Sequence, residues 1–239
     1  MNGSEPRSYG HFCKLAKALE HVGDRWALLV VRDLMLGPKR FTDLMDCMAG
    51  VTPKTLTRRL RDLEADGLVA PDREPGRREV WYRLTPAGRD LQPALDELLL
   101  WGMRHVAEQP GPDEPIHPEH VLHALQLLLQ RESVDVGHVR WVVRVPGTDD
   151  YVLSSDGTTW DLRIDADSKA IPDVTITATR SALARFLTAQ GKRDRHTEGI
   201  EIAGKASAIR TFLKAIEAFP PNATGLRAAH TTELAGGSR

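Results

Sequence analysis

Two cysteines in 239 residues leave no disulfide framework to staple a fold, and such sparing use fits a reducing compartment, so the expected location is the cytoplasm. Long apolar runs are missing too. The richest cluster, Leu98–Leu99–Leu100–Trp101, lies in an amphipathic stretch interrupted by charges, too short to cross a membrane. No apolar run follows the early basic residue, so no secretory signal is expected. There is no P-loop, no glycine-rich dinucleotide fingerprint and no Gly-x-Ser-x-Gly elbow. These absences predict neither an enzyme nor a cofactor. His117, His120 and His123 recur every three residues, but His117 precedes Pro118 and should lie outside the helix. A metal would still need a third well-placed ligand and supporting partners, so no metal site is expected. Finally, the chain lacks charge of one sign: 32 basic residues face 33 acidic ones, a net of −1. That is not the balance of a general nucleic-acid coat, and any DNA-binding charge has to be local.

Residues 39–83 supply it, with ten basic and eight acidic side chains. Their centre is Gly50–Val51–Thr52–Pro53–Lys54–Thr55–Leu56–Thr57–Arg58–Arg59–Leu60. Thr52 suits an N-cap, where its hydroxyl accepts an unpaired first-turn N–H, and Pro53 suits the first helical position. At about 100° per residue, Leu56, Leu60 and Leu63 share one face while Lys54, Arg58 and Arg61 share the opposite one. Asp62, Glu64 and Asp66 come late, so positive charge gathers at the N-terminal half, the end of a recognition helix that reaches base edges. Upstream, Phe41, Leu44, Met45 and Met48 repeat at helical spacing. Downstream, Gly67 suits the helix end and two strand-like runs, 68–73 and 79–84, flank Pro75–Gly76–Arg77–Arg78. Helix, turn, helix and a hairpin with a basic tip read as a winged helix-turn-helix. Base contacts are expected from Lys54, Thr55, Thr57 and Arg58, backbone contacts from Thr52, Arg40 and Arg61, and wing contacts from Arg73, Arg77 and Arg78. After the wing, Thr85–Pro86 should cap one long helix carrying Leu91, Leu95, Leu98 and Gly102, with Leu99, Trp101 and Val106 widening its apolar surface.

Residues 9–106 closely resemble the HxlR-type winged-helix transcriptional regulators. The resemblance is carried by Cys13, Gly23–Asp24–Arg25–Trp26, Gly37–Pro38–Lys39–Arg40–Phe41 and Val51–Thr52–Pro53–Lys54–Thr55–Leu56–Thr57–Arg58–Arg59–Leu60. It continues through Leu63–Glu64–Ala65–Asp66–Gly67–Leu68–Val69 and Tyr82–Arg83–Leu84–Thr85–Pro86–Ala87–Gly88. Asp24 departs from the family, which often has a second glycine there; aspartate can instead cap the next helix. The resemblance implies a homodimer on a pseudo-palindromic operator, paired through the helix after the wing. It also places Cys13 where redox-sensing members carry a reactive thiol. The helix dipole, Lys14 and His11 would favour the thiolate, whereas a free cysteine commonly packs inertly. Cys47 reads as core filling.

A polar, proline-rich stretch, 109–116, reads as a linker between an N-terminal domain, 9–108, and a second domain, 117–220; a tail, 221–239, is expected to be disordered. The second domain opens with a leucine-rich helix at 121–131. Strands are expected at 138–145, 151–154, 158–164, 173–179 and 200–203, with helices at 181–190 and 207–219. The whole is α+β, with one mainly antiparallel sheet. Pro172–Asp173–Val174–Thr175–Ile176–Thr177–Ala178, Leu183 through Leu187, and Gly199–Ile200–Glu201–Ile202–Ala203–Gly204 resemble the sterol-carrier-protein-like fold. That resemblance implies an apolar tunnel for a lipid or similar molecule, lined here by Trp141, Val143, Trp160, Leu162, Ile176, Phe186 and Phe212. The same residues would serve equally as a solid core. The expected function is therefore a DNA-binding regulator, a dimeric repressor modulated by a hydrophobic small molecule. The alternative is a small-molecule carrier whose winged helix makes protein contacts.

Overall fold

The computed structural model describes residues 8–72, 79–106, 111, 114–133, 136–164, 171–188 and 198–217. The chain divides into two compact units, Met1–Glu97 and Leu98–Arg239, each described by itself.

In the first unit the order is α1 (Lys14–Val22), α2 (Ala27–Met35), β1 (Lys39–Arg40), α3 (Phe41–Cys47), α4 (Pro53–Ala65), β2 (Val69–Asp72), β3 (Trp81–Leu84), α5 (Pro86–Arg89) and the start of α6 (Gln92–His105). The core is made where apolar stripes meet: Val30, Val31 and Leu34 of α2, Leu44 of α3, Leu56, Leu60 and Leu63 of α4, and Val69 and Leu84 of the hairpin. The Thr52 side chain accepts the Thr55 N–H at 3.2 Å, with Pro53 at the first turn. At the other end Gly67 takes φ +69°, and the Leu68 N–H returns to the Leu63 carbonyl, a glycine-dependent helix stop. β2 and β3 pair antiparallel from Val69↔Leu84 to Asp72↔Trp81. β1, too short to stand out in the sequence, adds a third strand beside β3.

The single long helix expected after Thr85 is two helices, α5 and α6. Pro93 has no N–H for the Arg89 carbonyl, and its ring would collide there, so the helix restarts around it. Thr85 caps only α5, accepting the Gly88 N–H at 3.1 Å, while its hydroxyl donates to the Gly67 carbonyl at 2.6 Å. A Cβ on Gly88 would lie 2.1 Å from the Leu68 carbonyl oxygen. The Leu84–Thr85–Pro86–Ala87–Gly88 motif is thus a clasp that fastens the base of the hairpin to the end of α4.

In the second unit α7 (Pro118–Arg131) precedes β4 (His138–Arg144), β5 (Tyr151–Asp156), β6 (Trp160–Ile164), β7 (Val174–Ala178), α8 (Arg180–Thr188), β8 (Ile200–Gly204) and α9 (Ala206–Glu217). The five strands lie in the order β6-β5-β4-β7-β8. Every neighbouring pair is antiparallel except β4 and β7, which run parallel at the centre. One face carries Trp141, Val143, Leu153, Trp160, Val174 and Ile176, covered by Leu122, Leu125 and Leu129 of α7, Leu183 and Phe186 of α8, and Phe212 and Ile216 of α9. Two glutamines of α7 satisfy the start of β6. Gln126 Nε2 donates to the Trp160 carbonyl at 2.8 Å, and Gln130 Oε1 accepts the Trp160 N–H at 2.8 Å. At Gly204, φ is +153° and a Cβ would sit 2.4 Å from the Asp173 carbonyl oxygen, so this strand end requires glycine.

Candidate nucleic-acid interface

α4 presents two faces of opposite character. Leu56, Leu60 and Leu63 are at most 2% exposed, whereas Lys54, Arg58 and Arg61 are exposed. None of these three cations makes an ion pair with another described residue, so their charge is available to an external anion. Thr52 is exposed and Thr55 half-buried; their hydroxyls share a 2.9 Å hydrogen bond at the helix start. Thr57 is half-buried on the adjoining flank. A helix N-terminus with a positive dipole end and exposed cations beside it is chemically suited to phosphate and base edges.

Arg40 stands apart from these. Its guanidinium bonds Asp43, at 2.9 Å from Nη2, and reaches Glu79 at 3.2 Å from Nη1. It also lies 5.5 Å from the centre of the Trp81 ring. The Asp43 hydrogen bonds push the guanidinium pKa above its ordinary value, and Arg40 in turn holds the Asp43 carboxyl below the usual carboxylate range. Arg40 therefore ties α3 to β3 with its charge balanced locally by two carboxylates, a pairing with Glu79 across 39 positions that no local pattern announces. Arg73, Arg77 and Arg78 of the wing lie outside the described residues.

Comparison with known proteins places this geometry. Residues 21–110 match the family described as HxlR-like helix-turn-helix. An uncharacterized HTH-type transcriptional regulator of Bacillus subtilis is 38% identical over 113 residues, covering 45% of this chain and 93% of the relative. The chain belongs to the HxlR-like family. Another relative in Synechocystis is 39% identical over 87 residues, covering 36% of this chain and 64% of its own length. One in Mycobacterium bovis is 41% identical over 109 residues, covering 44% and 66%. The chain thus spans just under two thirds of the length of these last two relatives. The relatives named here bear the name of HTH-type transcriptional regulators. No helix among the described residues is long and apolar enough to cross a membrane.

The remaining sequence-derived positions fall as follows. Cys13 is exposed at the N-cap of α1, and its side chain makes no capping bond; Cys47 is half-buried in α3. His117 is the N-cap of α7 and stands 5.3 Å, ring to ring, from His120; His123 is half-buried one turn on. The aromatic residues of the second unit meet one another. Trp141 lies 4.9 Å from Trp160 and 5.0 Å from Phe212, and Phe186 stacks at 6.4 Å on Phe212. Val143 and Ile176 are buried in the same cluster, with Leu162 at its margin. A groove of about 340 Å³ opens elsewhere, over the end of β7 and the start of β8, and none of these side chains lines it.

Proposed function

We propose that the chain is a dimeric repressor that reads a pseudo-palindromic operator through α4. The observation that carries this is the exposed trio Lys54, Arg58 and Arg61, with no ion pair to another described residue, set opposite a buried leucine face. Lys54, Thr55, Thr57 and Arg58 face base edges. Thr52, Arg40 and Arg61 lie nearer the phosphates, Arg40 only by loosening one of its carboxylate pairs, and Arg73, Arg77 and Arg78 follow the backbone from the wing. Dimerisation is supported by apolar side chains left in water: Phe12 is 94% and Leu15 67% exposed beside α1, and Leu98 and Trp101 of α6 are 51% and 43% exposed. In such a dimer the two α4 helices lie about 34 Å apart, one DNA turn. Selection of duplexes from a random library by the full chain tests the reading. Arg58→Ala should then cost about 1–3 kcal/mol on the selected duplex, and loss of a phosphate contact should flatten the salt dependence by about one unit. Unchanged affinity in both Lys54→Ala and Arg58→Ala would refute the interface.

The proposal extends to domain roles. Residues 9–108 bind DNA and dimerise, 109–116 link, 117–220 form a sterol-carrier-like effector domain, and 221–239 are a tail; the protein works in the cytoplasm. A five-stranded sheet covered on one face by α7, α8 and α9 supports the sterol-carrier-like reading of the fold, while the rings packed at its centre fit a solid core equally well. Because the rings of Trp141, Trp160 and Phe212 touch, an apolar ligand must part them. It relieves repression only if it binds the DNA-free conformation more tightly. Quenching of tryptophan emission by apolar ligands, lost in Phe212→Ala, is the expected signature. Saturating long-chain fatty acid or sterol without effect on either emission or operator affinity would rule it out.

A further inference from the structure

α4 carries a fourth basic residue inside the motif, Arg59, and it does not join the exposed trio. Its side chain is only 15% exposed, and it lies on the flank of the helix about 100° from Arg58. Arg59 Nη1 pairs with Asp62 Oδ2 at 3.0 Å on the same helix, and Arg59 Nε stands 3.4 Å from Asp24 Oδ1 in the turn between α1 and α2. The same Asp24 oxygen accepts the Trp26 N–H at 3.0 Å. One carboxylate thus touches the turn, the start of α2 and α4. A second strap lies beside it, where His21 Nδ1 at the end of α1 is 3.0 Å from Asp66 Oδ1 at the end of α4.

These contacts matter because α1 has little else to hold it. Val22 is its one buried residue, and its apolar side chains Leu15 and Leu19 face water. The turn is close-packed: a Cβ on Gly23 would meet the Leu19 carbonyl oxygen at 2.4 Å. The direction of α1 relative to α4 is therefore set by a tight turn and by these polar contacts, not by a broad apolar contact.

We propose that Arg59, clamped between Asp24 and Asp62, is a positioning residue that fixes the angle between α1 and α4 and thereby the spacing of DNA half-sites the dimer accepts. This rests on the dimeric DNA-binding reading above. In that dimer α1 bears part of the exposed apolar surface and α4 the DNA-facing cations, so a change of angle displaces one recognition helix from its symmetry mate. Arg59 acts through Asp24 and does not touch the nucleic acid.

The test uses the full chain and duplexes selected by the wild type, remade with the half-sites one base pair closer or farther apart. Asp24→Asn keeps an oxygen for the Trp26 N–H but removes the charge facing Arg59; Arg59→Gln removes the other partner. Each variant should lose about fivefold on the selected spacing, gain relative to wild type on a shifted spacing, and keep the same salt slope. The double variant should be no worse than either single one. Equal loss at every spacing, a salt slope reduced by about one, or no change in either variant would overturn the proposal. If Arg59→Gln does not fold, Asp24→Asn decides by itself. If the wild type selects no duplex with two half-sites, the DNA-binding reading fails, and this inference fails with it; that result appears in the wild-type arm alone.

Discussion

Replacing Thr85 with valine should loosen the whole winged-helix unit. The change keeps the branched shape and removes only the hydroxyl, so it opens no cavity. That hydroxyl donates to the Gly67 carbonyl at 2.6 Å and accepts the Gly88 N–H at 3.1 Å. Losing an N-cap costs about 1 kcal/mol, and losing a hydrogen bond to a carbonyl costs about another 1 kcal/mol. Because Thr85 is half-buried, water reaches part of the site, and the sum of about 2 kcal/mol is an upper figure. Amide hydrogen exchange resolved by peptide mass spectrometry separates this unit from the other one. In peptides from α4, β2 and β3 that exchange by unfolding of the unit, about 2 kcal/mol is about 30-fold faster exchange. Thr85→Ser, which restores the hydroxyl, should return most of the protection, and peptides of the sheet in the second unit should not change. Exchange within about threefold of wild type in Thr85→Val would mean that the clasp between α4 and the hairpin contributes less than its geometry indicates.

Two further outcomes are expected in the second unit. Gly204→Ala should cost about 1–3 kcal/mol or more, because its Cβ meets a backbone oxygen that cannot swing away; exchange in β7 and β8 should rise together, and unchanged protection there would contradict the close approach. Asp156 accepts the N–H and hydroxyl of both Thr158 and Thr159, and these bonds hold its carboxyl well below the usual range. Its folded pKa is depressed, so its contribution is complete above about pH 3.9, the value for a free aspartate, and is lost as pH falls toward the folded value. A carboxyl NMR titration should therefore show a midpoint below that of free aspartate, and an ordinary midpoint would refute the turn geometry.

Much of the first unit was legible because its signals are local. Thr52–Pro53 favours a helix start through local chemistry, the leucine spacing of α4 defines one buried face, and Gly67 permits the left-handed stop. The strands of the second unit were legible from alternation for the same reason: Trp141 and Val143, or Val174 and Ile176, lie two positions apart and so share one side of a sheet. Residue type and spacing also picked out Lys54, Arg58 and Arg61 as a solvent-facing cationic group. Pairings between distant positions were not legible. β1 is two residues long and exists only because β3 lies beside it. The parallel join of β4 to β7, which orders the five strands, depends on which edges meet. Arg40 and Arg59 look in the sequence like their basic neighbours, yet Glu79 and Asp24 engage them across 39 and 35 positions. Periodicity reports which way a side chain points from its own helix or strand. Which carboxylate waits at the other end is decided only when the chain has closed on itself.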